Sequence, residues 1–437
     1  MTKRQPSPSS LMPVEEALAY ILQHITPLPA ETKPITECLG RVLAEDVVAE
    51  ANIPPFANSA MDGYAVIAGD VAEATPDKPA LLRVIATIPA GQSPQATVES
   101  GTAARIMTGA PMPPGADAVV RFEETSEARP FPNLPEGTVA VFRPVAPGDN
   151  VRPAGEDVRA GQVVLERGHT LRPQDIGLLA AIGRGRVQVH RKPRVAILAT
   201  GDELVGVDEP LTPGKIRNSN EYTQAALVES YGGEPVMLGI ARDTTEDLTA
   251  KIRQGLAQKV DLFLTSAGVS VGDYDMVKTV LASEGKMHFW QVAIKPGKPL
   301  AFGLIAEGKV PLIGLPGNPV ASMVAFEAFA RPAILKLGGH RRWQKPTLRA
   351  ILQEDVHNSG RRHFMRALLY RTGDEYRVTT RGSGVQVQGS GILSSLVWAN
   401  ALVVVPNEVT FLPAGSPVEV WLLDWRGEAI PVQAASR

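Results

Sequence analysis

The sequence predicts a multidomain α/β-plus-β protein, and three observations carry that expectation. Strands and helices alternate from Arg194 to Leu337, the signature of a doubly wound parallel sheet. Short apolar runs bounded by Gly, Pro and Asn fill both flanks of that region, as in β-rich modules. The chain has 437 residues, which is too long for one ordinary domain and predicts about three at roughly 150 residues each.

Composition narrows the function classes. Apolar residues are 44% and charged residues 21%, ordinary for a soluble chain able to bury sizeable cores. Lys plus Arg is 44 against 46 for Asp plus Glu, a net charge of −2. That balance excludes polyanion binding driven by bulk charge, so no nucleic-acid partner is expected, while a local anion site stays open. A single cysteine, Cys38, excludes an intramolecular disulfide framework and a Cys-rich metal site, and fits a reducing compartment. Met1–Ser10 lacks the apolar stretch of a secretory signal. The uncharged run Val310–Phe326 is broken by Pro311, Pro316 and Pro319, so no membrane span is expected. The expected location is cytoplasmic.

Taken in order, Leu11–Ile25 reads as an amphipathic helix that stops before Pro27. From Asn52 to Pro147 the runs Leu81–Ile88, Ala118–Phe122 and Thr138–Arg143 alternate with Pro- and Gly-rich turns, predicting short strands. Pro173 and Asp175 open a helix that Gly183 ends. The middle region predicts strands at Val195–Ala199, Val236–Ile240, Asp261–Thr265 and Val310–Leu315. Helices fall between or after them at Glu221–Tyr231, Thr245–Gln258, Asp275–Ser283 and Pro319–Leu337. Beyond Gly339, Thr347–Glu354, Phe364–Arg371, Tyr376–Thr380, Ala401–Val405 and Pro417–Leu423 predict a small barrel or sandwich.

Ligands of an open α/β sheet bind beyond the carboxyl ends of its strands. Four predicted strand ends carry unusual residues: Thr200-Gly201-Asp202-Glu203, Arg242-Asp243, the loop from Thr265 and Ser266 to Asp275, and Leu315-Pro316-Gly317-Asn318-Pro319. Glycine amides and hydroxyls there, including Gly268, Ser270 and Gly272, suit a phosphate-like anion at loops and helix starts. Carboxylates beside them suit Mg²⁺ bridging to substrate phosphates. The plain alternative is that each loop only turns a strand into a helix. Lys295-Pro296-Gly297-Lys298-Pro299 presents two ammoniums on a proline-stiffened turn, an anion site or a solvated surface turn. Pro54–Ala65 and Ala103–Pro111 read as turn caps from their residue types alone. Gly268-Val269-Ser270-Val271-Gly272 also matches a nucleophile elbow. A serine hydrolase would need a later acid and histidine, yet His340, His357 and His363 lie at or beyond the switch to all-β pattern.

Over nearly its whole length the chain resembles the molybdopterin molybdenumtransferases, the family of bacterial MoeA and the gephyrin E domain. The resemblance rests on Pro54–Val66, Gly101–Val120, Gly155–Gly183, Val195–Leu204, Thr265–Asp275, Lys295–Pro299 and Gly314–Pro319. It implies insertion of molybdate into adenylylated molybdopterin with release of AMP, with Mg²⁺ as cofactor. It also implies four parts: an elongated, discontinuous domain I (1–50 and 148–186), a β-rich domain II (51–147), a MogA-like α/β domain III that binds molybdopterin (187–337), and a C-terminal β-barrel domain IV (338–437). A homodimer with a site shared between subunits follows from the same likeness, as do a MogA-type adenylyltransferase and cofactor-accepting molybdoenzymes as partners.

By motif, the resemblance assigns functional roles to Asp62, Thr108 and Glu203, metal binding to Glu203, Asp243 and Asp275, and molybdate handling to Lys295 and Lys298. Arg366 and Ser390 match the barrel-side partners of the oxyanion. The substrate-binding set is Thr200, Gly201, Ser266, Gly268, Ser270, Gly272, Pro316, Gly317 and Asn318. Three departures stand out: Gln291 where some members carry lysine, Ala57 in place of an acid, and Ala267 in place of a glycine. Two other functions compete: a scaffold that binds finished cofactor without catalysis, and a MogA-like adenylyltransferase, against which length and barrel argue.

Overall fold

The computed structural model describes residues 11–266, 285–382 and 384–423. The chain divides into a smaller unit of residues 33–39 and 45–187 and a larger unit of 1–32, 40–44 and 188–437. Helix α1 (Val14–Gln23) belongs to the larger unit. Packing places it there: Ala17 and Ile21 are fully buried in that unit's main core, and Met12 N donates to Gln291 O at 2.8 Å.

In the smaller unit, β1 (Gly63–Val66), β2 (Ala80–Ile88), β3 (Thr102–Ile106), β4 (Ala118–Arg121) and β5 (Thr138–Val141) form one sheet. Its order is β4–β1–β3–β2–β5. Alternate residues enter opposite apolar clusters, Tyr64, Val66 and Val120 on one face and Ala65, Ala104 and Val119 on the other. Burial on both faces explains why these strands read as continuous Ala/Val runs. Helix α2 (Pro173–Ala181) begins on proline, and the Asp175 carboxylate accepts from Arg172 N at 2.8 Å. Burial pushes the Asp175 carboxyl up, but bonds from Arg172 and His169 outweigh it and hold the group at about 2.

The larger unit contains β6 (Arg194–Thr200), α3 (Ser219–Ser230), β7 (Glu234–Ala241), α4 (Thr245–Ala257), β8 (Leu262–Ser266), β9 (Gly285–Gln291), β10 (Pro299–Ile305) and β11 (Val310–Leu315). The sheet order is β7–β6–β8–β11–β10–β9. β7, β6, β8 and β11 run parallel, while β10 and β9 add an antiparallel edge. That edge departs from the expected all-parallel sheet, and polar Lys286, His288 and Gln291 hid β9 from an apolar-run reading. Val195, Ile197, Leu264 and Ile313 pack on one face with α1 and Phe326. On the other face Ala196, Leu198 and Phe263 pack with Leu248 and Ile252 of α4. Helix α5 (Pro319–Ala325) runs through a π-helical segment (Phe326–Ala330) into α6 (Arg331–Leu337). No helix among the described residues is long and apolar enough to cross a membrane.

The C-terminal strands β12 (Thr347–Leu352), β13 (Arg362–Thr372), β14 (Glu375–Thr379), β15 (Ala401–Val405) and β16 (Pro417–Leu422) close into a five-stranded barrel. The ring runs β13–β14–β12–β16–β15 and back to β13, which removes free edges. Leu352, Leu369, Val378, Val403 and Val420 fill it. The two-residue strand Ile294–Lys295 pairs alongside β13, with Lys295 opposite His363. This pairing brings a turn of the α/β region onto the barrel.

Candidate functional site

The site begins where β6 stops. At Gly201 the backbone takes φ +141°, and a Cβ there would lie 2.3 Å from Glu203 Oε2. Only glycine lets the Glu203 carboxylate fold back over the strand end. Across the neighbouring loop, Asp202 N donates to Asp243 Oδ2 at 3.1 Å and Asp243 N to Asp202 Oδ1 at 3.4 Å. These reciprocal bonds hold two strand-end acids side by side.

Three further contacts assemble a concave wall. A Cβ on Gly297 would come within 3.3 Å of Ala321 O and 3.4 Å of Pro316 Cγ, so the lysine turn lies directly on the start of α5. Asn220 at the start of α3 donates to Gly317 O at 2.7 Å. Val320 N donates to Ser390 O at 3.0 Å, seating a barrel loop on the same helix start.

The resulting cleft is about 670 Å³, the size of a small-molecule site. It brings together Glu203, Ser266, Lys295, Lys298, Pro316, Gly317, Asn318 and Ser390, all expected from the sequence. Lys295, Lys298, Arg217 and Arg361 face it, with Glu203 the single carboxylate among its described lining residues. Neither lysine ammonium makes a hydrogen bond or ion pair among the described residues. In a chain of net charge −2, this is a local positive basin with uncommitted donors, chemistry suited to a compact anion.

Other expected residues sit elsewhere. Thr200 is buried at the strand end, its Oγ1 without a hydrogen-bond partner among the described residues, and neither it nor Gly201 lines the cavity. Asp243 also lies off the cavity wall. Arg366 is fully buried in the barrel. Its Nε donates to Ser395 Oγ at 3.0 Å and its Nη2 to the Val387 and Gly389 carbonyls at 2.9 and 3.0 Å. Arg366 therefore grips the loop that presents Gln388 and Ser390, and burial brings its guanidinium down to about 10. Gly268, Ser270, Gly272 and Asp275 lie outside the described residues, as do the nucleophile-elbow motif and the predicted helix Asp275–Ser283. Among the described residues, no three His, Cys, Asp or Glu side chains cluster as metal ligands.

In the smaller unit, two motifs that looked like turn caps meet. Asp62 Oδ1 accepts from Thr108 N at 2.7 Å and from Thr108 Oγ1 at 2.8 Å. The backbone bond from Thr108, then its hydroxyl, hold the exposed Asp62 carboxyl below the usual range.

Three family profiles tile the chain: the MoeA N-terminal region (domain I and II) over residues 12–183, a probable molybdopterin binding domain over 196–336, and the MoeA C-terminal region (domain IV) over 349–423. A molybdopterin molybdenumtransferase of Nostoc sp. is 40% identical, with 87% of this chain and 86% of the relative covered. The molybdopterin molybdenumtransferase of Haemophilus influenzae is 36% identical over 94% of this chain and 98% of the relative. The chain belongs to the MoeA family of molybdopterin molybdenumtransferases. A solved structure, the molybdopterin biosynthesis MoeA protein of Pyrococcus horikoshii, matches with TM-score 0.78 and 34% identity over 94% of this chain and 100% of that one.

Within this MoeA chain, several cavity residues escaped the sequence reading: Arg217, Asn218, Asn220, Arg361, His363 and Gln388. Asn218 carried a signal, since Asn-x-x-Glu marks a helix start; its Oδ1 accepts from Glu221 N at 3.3 Å and its Nδ2 donates to Glu221 Oε2 at 2.7 Å. Arg361 and His363 carried only the run Arg-Arg-His at the start of β13. Their place on the cavity comes from pairing with Lys295, a contact across 68 positions that no local pattern encodes.

Proposed function

We propose that this chain is the transferase that inserts molybdate into adenylylated molybdopterin, releasing AMP, and that the cationic cavity of the larger unit is where molybdate is held. One observation carries the reading: the lysine turn, the α5 start and the Ser390 loop converge on one cavity whose lysine ammoniums make no hydrogen bond or ion pair among the described residues. A tetrahedral dianion between Lys295 and Lys298 would be neutralised by charge-assisted hydrogen bonds. Holding it beside the dithiolene makes the reaction effectively unimolecular, and pre-aimed donors stabilise the charge that shifts as sulfur replaces oxygen. Arg366 acts one step back, fixing the loop of Ser390 and Gln388. No side-chain nucleophile is needed.

Glu203 and Asp243 offer hard oxygens at neighbouring strand ends, with Asp275 assigned to the same role by motif. This donor chemistry suits Mg²⁺, which takes one or two carboxylates and completes its shell with water and substrate phosphates. Bound there it would supply charge neutralisation for the pyrophosphate. We further read the working protein as a four-part homodimer, with Asp62 and Thr108 of one subunit serving a site completed by the other, supplied by a MogA-type adenylyltransferase and discharging cofactor to molybdoenzymes. An Asp62→Ala protein mixed with an Asp243→Ala protein is then expected to regain part of the activity through heterodimers. Subunit exchange without recovery contradicts the shared site.

The deciding assay incubates purified protein with adenylylated molybdopterin and molybdate and follows AMP. AMP release that requires molybdate supports the transferase. Tight cofactor binding without AMP release supports a scaffold instead, and ATP-dependent adenylylation of molybdopterin supports an adenylyltransferase.

A further inference from the structure

His363 stands on the cavity wall and has no function in the account above. It lies on β13 with only 4% of its surface exposed, and it lines the cavity. The ring makes no hydrogen bond among the described residues; its Nδ1 is sealed from solvent, which leaves Nε2 as the nitrogen on the cavity side. Buried polar groups are almost always paired, and a ring nitrogen on a cavity wall without a protein partner is one that a ligand can satisfy. Among the described residues, Lys295 is its register partner on the lysine turn, Arg366 follows on its own strand, Arg361 lies just before that strand begins, and apolar Val405 lies opposite on β15. The Ser390 loop contributes neutral Gln388 and Ser390 to the same wall. Burial first, then the charges of Lys295, Arg366 and Arg361, hold the imidazole at about 3, so near neutral pH the ring is uncharged.

We propose that His363 is a proton-linked ligand of the oxyanion: as a tetrahedral dianion enters beside Lys295 and Arg361, the imidazole takes one proton from solvent and donates an N–H to an oxo atom. This inference rests on the cavity being the molybdate site. The physics is reciprocal. Cations disfavour the imidazolium, and a dianion that cancels two of them and accepts its hydrogen bond favours it. The bound-state value therefore lies above the free-state value. Between the two, each anion bound takes up a proton, so affinity rises as pH falls, by up to tenfold per pH unit. Above the bound-state value affinity is flat. The consequence for specificity is a site built for fully deprotonated dianions, since the protein brings the proton rather than the ligand.

The test is calorimetric titration of the whole protein with molybdate at pH 6 and pH 8.5, each in two buffers of different ionisation heat. The expected result is uptake of close to one proton per molybdate at pH 6 and almost none at pH 8.5, with binding roughly fivefold or more tighter at the lower pH. His363→Gln, which keeps a donor but cannot titrate, is expected to bind at pH 8.5 within about threefold of the natural protein and to take up no proton at pH 6. Binding by the natural protein without proton uptake at pH 6 overturns the proposal whether or not the variant folds. Uptake that persists in His363→Gln also overturns it, by placing the proton elsewhere. Molybdate that fails to bind at either pH contradicts the cavity assignment itself, a separate failure.

Discussion

The two units treat charge in opposite ways. In the smaller unit, Asp62 takes two hydrogen bonds from Thr108 on one carboxylate oxygen and is held ionised. In the larger unit, Lys295 and Lys298 face a cavity and make no ion pair among the described residues, and His363 beside them is held neutral. A carboxylate fixed by neutral donors keeps its charge and its orientation, as a group that positions something else does. Ammoniums left uncompensated at a cavity wall are waiting for an anion. Paired and unpaired charges therefore mark different jobs, although Asp62, Lys295 and Lys298 all stood in conspicuous sequence motifs.

The contrast can be broken most severely at the acids. Asp62→Ala and Asp243→Ala are each expected to lower turnover by roughly a hundredfold or more, with the melting temperature nearly unchanged, because neither side chain sits in a core. Loss of the folded state in both variants would make these groups structural. Arg366→Ala comes next and should act through stability. Removing a buried guanidinium leaves a void and takes one bond from each of Val387 O, Gly389 O and Ser395 Oγ, although the last two keep their bonds to Ile392, at a cost of about 2–4 kcal/mol in urea unfolding. Unchanged stability with lost molybdate binding would instead make Arg366 a direct ligand. The smallest effect is expected at Thr108→Val, which removes the hydroxyl bond to Asp62 and keeps the backbone one. The carboxylate works ionised, so activity falls as pH drops through its folded-state value. With one lowering bond gone, that value rises, and the acid limb of the pH profile should move to higher pH with turnover near neutrality reduced only about threefold. An unmoved acid limb would show that Asp62 ionisation does not govern it.

How much of this was legible beforehand follows from sequence distance. The alternating strands and helices from β6 to α5 and the strand-end loops are local patterns, and the rule that ligands gather at carboxyl ends of strands picked out Glu203, Ser266 and Pro316–Asn318 without any tertiary contact. The antiparallel β9–β10 edge was hidden because β9 alternates with polar residues on a sheet margin. His363, Arg361 and Gln388 were hidden for a different reason: their place depends on the Lys295–His363 register and on the Val320–Ser390 bond, both long-range. Arg366 was conspicuous, yet its guanidinium turns into its own barrel loop, where Nε and Nη2 find partners while Nη1 has none among the described residues.

We propose that the lysine turn holds molybdate, not the nucleotide. Molybdate titrations of Lys298→Ala at saturating adenylylated molybdopterin test it directly. The account predicts at least about a tenfold rise in the molybdate concentration needed for half-maximal turnover, with affinity for adenylylated molybdopterin largely kept and only partial recovery in Lys298→Arg, whose planar fork replaces a compact ammonium. An unchanged molybdate dependence, or an equal loss of nucleotide affinity, would contradict it and move these lysines to the phosphate side of the site.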